Sequence, residues 1–342
     1  MSSIPKNILE SEGREAQDVL CLLEDELVKS LTLYWNIANA ILKKSGIQLK
    51  KPSEEYFSLE NNFFSALFLY SYMRGDLPKS KRILYTSMNQ CLRGMVTGCD
   101  NILDNEYKKT LDTDLPIKAK KFRSIIDIMV SDRILVAILH KGHQEGEFSF
   151  DHILKANTAS LHALVTSGIQ EATEEGGAGT ILKPEEVLSK IHPLKTGILF
   201  QAPWVLPELM ETKFSEHITK LKEALFKIGM GCQILDDMVD LAMDSQMNRH
   251  NYVASLIHHG KNIAEQKRLG KHSARNHYES VDPDFLLKFP DARKASAQEA
   301  LIFLEKGTEI LFDKNHKFLV PYSIKFLIKR IGAIRFLPDI IE

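Results

Sequence analysis

Asp236, Asp240 and Asp244 recur every fourth residue within LKEALFKIGMGCQILDDMVDLAMDSQMNRHN, residues 221–251. Apolar residues at Leu225, Ile228, Cys232, Leu235, Val239 and Met243 recur three or four apart in the same stretch, which predicts an amphipathic helix. Four residues advance a helix by about 400°, so the three carboxylates stack over successive turns. Stacked like charges repel, by a few tenths of a kcal/mol per pair when exposed and by more when desolvated, and a cation is the natural compensation. Oxygen-only ligands favour a hard ion, and a few carboxylates completed by water and phosphate oxygens suit Mg²⁺ better than a closed calcium cage or a zinc site. A solvated acidic edge is the plain alternative. Gly229, Gly231 and Cys232, just before the row, argue instead for close backbone packing and carboxylates set beside a core.

A second carboxylate pair, Asp100 and Asp104, lies one turn apart near the end of a helix predicted over 80–107. Gly94 and Gly98, also one turn apart, give that helix a face small enough for another helix to come close.

The wording of these segments resembles the trans-isoprenyl diphosphate synthases. GMGCQILDDMVD, 229–240, resembles their second aspartate-rich motif, with Gln233, Asp236, Asp237 and Asp240 in matching places. DNILD, 100–104, resembles the first motif, with Asn101 at its middle position, and KTGIL, 195–199, resembles their Lys-Thr element. The resemblance spans 87–251. It implies an all-α class I isoprenoid synthase fold, one large helical bundle over 1–342 around a central apolar cavity. It implies Mg²⁺, three ions per active site, held by Asp100, Asp104, Asp236, Asp240 and Asp244. Lys195, Thr196 and Gln233 become catalytic residues, Lys195 on the allylic diphosphate and Thr196 beside the reacting carbon. Lys108, Lys109, Lys195 and Arg249 would bind diphosphate. Met95, Val96 and Leu92 would form the chain-length pocket, and since none is aromatic a product of twenty carbons or longer is expected. A homodimer is implied as well.

The chain also departs from the family. Lys108, Lys109 and Thr110 stand where two arginines and a glycine are usual, and lysine neutralises phosphate without arginine's bidentate fork. No Gly-Lys-x-Arg-Pro element precedes the first motif, where Lys79, Lys81 and Arg82 form the nearest basic cluster. SGIQEA, 167–172, resembles the Gly-Gln helix segment only loosely, and GGAG at 176–179 lacks the strand and the Lys-Ser of a P-loop.

Several helices must position these residues. Periodicity predicts them over 16–44, 59–74 (dense in aromatics), 116–142, 151–175, 251–259, 291–313 and 322–336, with a basic loop over 259–284. With 44% hydrophobic and 26% charged residues, the 342-residue chain can bury a sizeable core. A net charge of −1 provides no long-range attraction for nucleic acid or anionic lipid, so phosphate recognition must be local. Cys21, Cys91, Cys99 and Cys232 show no metal or disulfide spacing and read as buried free thiols in a reducing compartment. No signal peptide or transmembrane run stands out, so a soluble cytoplasmic protein is expected.

Three functional readings follow. The first is a prenyltransferase that condenses an allylic prenyl diphosphate with isopentenyl diphosphate into a longer linear isoprenyl diphosphate. The second is a class I terpene cyclase ionising one substrate, which the every-fourth spacing of Asp236, Asp240 and Asp244 also suits. The third is a catalytically silent partner subunit of a prenyltransferase.

Overall fold

The computed structural model describes residues 13–211, 216–273 and 282–337. Among them the protein is all-α, as expected, and β pairing is limited to an isolated bridge between Leu49 and Thr113. The chain forms two compact units. Met1–Leu164 and Pro203–Ser215 make the first, and Val165–Ala202 and Glu216–Glu342 the second.

In the first unit, α1 (Gly13–Lys44), α2 (Phe63–Arg74), α3 (Lys79–Leu103) and α4 (Lys120–Gln144) pack together, joined by the start of α5 (Phe150–Thr173) and by α8 (Val205–Met210). The predicted stripe of α1 is buried at Val19, Leu23, Leu27, Leu31 and Tyr34. Gly94 and Gly98 do what their spacing foretold. A Cβ on Gly94 would lie 2.2 Å from Ser131 Oγ, and one on Gly98 would lie 2.6 Å from Ile128 Cγ1, so only glycine lets α3 and α4 meet this closely.

Several buried aromatic rings here use their polar handles. Tyr72 donates to the Pro203 carbonyl at 2.6 Å and accepts from Asn89, and the Trp204 indole donates to Ser71 Oγ. Phe63, Phe64 and Phe68 are half-buried, so this part of the α2 aromatic run is only partly core. The basic cluster before the first acidic pair is spoken for. Lys79 pairs with Asp25, Lys81 with Glu211, and Arg82 with the fully buried Glu26.

In the second unit, α9 (Glu216–Met247) packs along α12 (Pro290–Leu311), with α10 (Tyr252–His259), α11 (Ile263–Ser273) and α13 (Leu319–Ile331) around it. α9 ends at Asn248, whose φ of 53° is a left-handed stop that asparagine tolerates. Two expectations need correction. The 259–284 stretch is not all loop, because 263–273 is helical and buries Leu269 and His272; its sparse apolar residues hid the stripe, and 274–281 lies outside the described residues. Cys21 and Cys99 are exposed rather than buried, while Cys91 and Cys232 are buried.

Candidate active site

In the second unit the Lys-Thr element sits on a widened helix. Between α6 (Pro184–Glu186) and α7 (Ile198–Gln201) run two π-helical turns, Val187–Ile191 and Pro193–Gly197. Pro193 has no N–H to close an α-helical ring, and the backbone instead bonds over five residues, from Ile198 N–H to the Pro193 carbonyl. This run lies directly on α9. A Cβ on Gly229 would stand 2.9 Å from the Thr196 carbonyl, so the glycine read from sequence as a close-packing residue is where Thr196 meets the acidic helix.

Thr196, half-buried, donates its hydroxyl proton to Gln233 Oε1, and Gln233 Nε2 donates to Asp237 Oδ1 at 3.0 Å. Lys195 is 7% exposed, and Ser167 Oγ holds its carbonyl at 2.7 Å. Glu171 and Glu174 approach its ammonium to 3.5 and 3.3 Å. Burial alone would lower the Lys195 pKa, but the charges of Glu171 and Glu174 outweigh it and hold the ammonium above its ordinary value. Glu174 also accepts from Gln170 and from the His250 backbone N–H, which ties Lys195 to the turn after α9.

The aspartates of α9 divide by face. Asp236 is exposed and Asp240 and Asp244 are half-buried, while Asp237 is 3% exposed. Burial pushes the Asp244 carboxyl up to about 8, and repulsion from Asp237 and Asp240 adds to it, against the pull of its bond from Asn251 and the charge of Lys195. Burial would raise Asp237 too, but His192, the Tyr252 N–H and Gln233 outweigh that and hold it below the usual carboxylate range. Asp244, Arg249, His250 and Asn251 line a cavity of 180 Å³.

In the first unit, Asp100 and Asp104 are half-buried at the end of α3, where the Asp104 N–H caps the Asp100 carbonyl. Asn101 is buried and clamps the following loop. Its Oδ1 accepts from the Lys108 N–H at 2.7 Å and its Nδ2 donates to the Lys108 carbonyl at 3.0 Å. The side chains of Lys108 and Lys109 are exposed, paired with Glu106 and Asp112. Leu92 is buried in the core, whereas Met95 and Val96 are half-buried.

Among the described residues no three His, Cys, Asp or Glu side chains converge closely enough to hold an ion by themselves. The donor set still fits Mg²⁺, which takes one or two carboxylates and completes its octahedron with water and phosphate oxygens.

Glu171, Glu174, His192 and Asn251 were not singled out from sequence. Glu171 and Glu174 carry one faint signal, two carboxylates three apart beside the weak 167–172 match. His192 stands three residues before Lys195, a spacing that means nothing until the π-turns are known.

No family model matches the sequence, and no curated protein does. Solved structures do match. The chain is similar to geranylgeranyl pyrophosphate synthase from Corynebacterium glutamicum, at 16% identity over 96% of this chain and 98% of that one, with a TM-score of 0.61. It is similar to heptaprenyl diphosphate synthase from Staphylococcus aureus, at 14% identity over 89% and 98%, with a TM-score of 0.61. It is likewise similar to geranylgeranyl pyrophosphate synthetase from Pyrococcus horikoshii, at 13% identity over 92% and 99%, with a TM-score of 0.58. Near-complete coverage of both chains at identities this low identifies shared architecture, and the protein has the all-α fold of the trans-isoprenyl diphosphate synthases.

Proposed function

We propose that this chain is a Mg²⁺-dependent prenyltransferase that condenses an allylic prenyl diphosphate with isopentenyl diphosphate into a longer linear isoprenyl diphosphate, its two units acting as one domain. The observation that carries the reading is the buried Lys195 beside the Thr196–Gln233 pair, packed on the acidic helix α9, in a chain with this fold. Asp100, Asp104, Asp236, Asp240 and Asp244 would hold the metal, which when bound supplies Lewis-acid and electrostatic stabilisation to a departing diphosphate.

Lys195 binds a diphosphate oxygen, its charge preserved by Glu171 and Glu174, and Arg249, Lys108 and Lys109 serve the same anions. The allylic C–O bond breaks with its electron pair leaving on the diphosphate. The Thr196 oxygen, its proton committed to Gln233, turns lone pairs toward the allylic cation. The double bond of isopentenyl diphosphate attacks, a C–C bond forms, and the proton lost from the adduct passes to the released diphosphate.

A homodimer fits the surface. α5 exposes Phe150, Leu154 and Leu161 at helical spacing, and α4 exposes Phe122, Ile125 and Met129, apolar side chains that a second copy would cover. No helix among the described residues is long and apolar enough to cross a membrane, and a cytoplasmic location is part of the proposal. The every-fourth spacing of Asp236, Asp240 and Asp244 favours, as a second reading, a cyclase that ionises one substrate.

Incubation with Mg²⁺ and geranyl or farnesyl diphosphate, with and without isopentenyl diphosphate, separates the readings. A longer diphosphate formed only with both substrates supports the transferase. A hydrocarbon or alcohol from one substrate supports the cyclase, and no turnover leaves the silent partner subunit.

A further inference from the structure

Asp237 lies between Asp236 and Asp240, two of the proposed metal ligands, but is buried where Asp236 is exposed. Its Oδ2 accepts from His192 Nε2 at 2.9 Å and from the Tyr252 backbone N–H, and its Oδ1 accepts from Gln233 Nε2 at 3.0 Å. Asn251 Nδ2 holds its backbone carbonyl at 2.8 Å. With three donors on two oxygens inside the second unit, the Asp237 side chain has little left to offer an ion.

What it does offer is direction. A carboxylate only accepts hydrogen bonds, so Gln233 must turn its NH₂ toward Asp237, its nearer acceptor at 3.0 Å with Asp236 Oδ2 at 3.5 Å, and its Oε1 away, and there Oε1 accepts the Thr196 hydroxyl. The chain His192–Asp237–Gln233–Thr196 therefore has one polarity, and it leaves the Thr196 oxygen with its lone pairs free. Had the Gln233 amide been reversed, its NH₂ would face Thr196, and the hydroxyl would have to accept from it and point its proton at the substrate. Beside a developing cation that proton is destabilising.

We propose that Asp237 and His192 are positioning residues that set the polarity of this hydrogen-bond chain and so present the Thr196 lone pairs to the reacting allylic carbon. The proposal rests on the prenyltransferase reading. It does not ask either residue to touch metal or substrate.

Asp237→Asn tests it with almost no change of shape. His192 Nε2 and the Tyr252 N–H are two donors on one side of residue 237, so the new amide places its oxygen there and its NH₂ toward Gln233. Gln233 then loses its nearer acceptor and keeps only Asp236 Oδ2 at 3.5 Å, and the expected response is that it flips and Thr196 with it. With farnesyl and isopentenyl diphosphates and Mg²⁺, the expected result is a kcat lowered by ~10² or more, the scale of losing one preorganised dipole, with KM within ~3-fold. Adding Gln233→Glu to Asp237→Asn supplies an acceptor for both the new NH₂ and the Thr196 hydroxyl at unchanged total charge. The double variant should recover kcat to within ~10-fold of wild type, a rescue that a merely structural role does not foresee.

A wild-type kcat in Asp237→Asn, or a double variant no better than the single one, overturns the proposal. Should Asp237→Asn fail to fold, His192→Gln, which keeps a donor, is compared with His192→Leu, which does not. A kcat within ~3-fold of wild type for the first and a ~10-fold or greater loss for the second are expected, and equal effects overturn the proposal. Should the wild-type protein turn over no prenyl diphosphate, the prenyltransferase reading fails on its own. The Gln233 side-chain amide NMR resonances then decide: they should shift in Asp237→Asn, or in His192→Leu, and resonances that stay in place refute the chain of bonds.

Discussion

Replacing Asn101 by aspartate restores the family's acidic wording, and from sequence alone the change reads as mild, since the outer positions Asp100 and Asp104 are the expected ligands. The structure gives it a definite cost. Asn101 is 2% exposed and uses both halves of its amide on one residue, accepting from the Lys108 N–H and donating to the Lys108 carbonyl. An aspartate keeps the first bond and cannot make the second. It also sets a charged oxygen 3.0 Å from the carbonyl that Nδ2 now satisfies. Leaving a buried or half-buried acceptor unpaired costs about 1–3 kcal/mol, and the added repulsion puts Asn101→Asp at or above the upper half of that range. For a unit of this size ~1 kcal/mol moves a melting midpoint by about 2–4 °C, so a drop of about 4–12 °C is expected. Thermal melts by circular dichroism provide the assay, with Asn101→Ala as the control that removes both bonds and adds no charge. Asn101→Asp should melt at or below Asn101→Ala. An Asn101→Asp protein melting within ~1 °C of wild type would refute the clamp.

Other outcomes follow from the same geometry. Asp100→Ala, Asp104→Ala and Asp236→Ala should each cut turnover by ~10² or more in steady-state assays, the scale on which loss of transition-state charge stabilisation is felt. Val96→Phe, at the half-buried position proposed to limit chain length on α3, should shift products toward shorter chains on chromatographic analysis. Asp127 supplies the pH dependence: burial pushes its carboxyl up to about 7, against the pull of Thr110 and Arg123. Between its ordinary value of 3.8 and about 7 the native state holds a proton that the unfolded chain has lost, so this residue makes stability fall as pH rises across that window. Melts from pH 4 to 8 should show the slope, and Asp127→Asn should flatten it.

The helices were legible because their signal is local. Apolar spacing marked α1, α3 and α9, and paired glycines marked the α3–α4 contact, where a Cβ has no room. The acidic pairs and the Lys-Thr element were legible as residue types at fixed spacing. What the sequence hid is held together across distance. His192 meets Asp237 forty-five residues away, and Lys195 meets Glu171 in the last turn of α5 and Glu174 just beyond it. No periodicity encodes such pairings. α11 was missed for a different reason, since two of its three buried residues, Glu265 and His272, are polar and only Leu269 marks an apolar stripe. Asn101 read as the loss of a charge and proved to be the gain of a donor.

The most direct test of the central claim is a single incubation of the pure protein with Mg²⁺, farnesyl diphosphate and labelled isopentenyl diphosphate, followed by identification of the labelled product. A chain of twenty carbons or more that still carries its diphosphate is expected, formed at a rate that Lys195→Ala lowers by ~10² or more. A labelled chain formed equally fast by Lys195→Ala, or no label in any prenyl product, would contradict it.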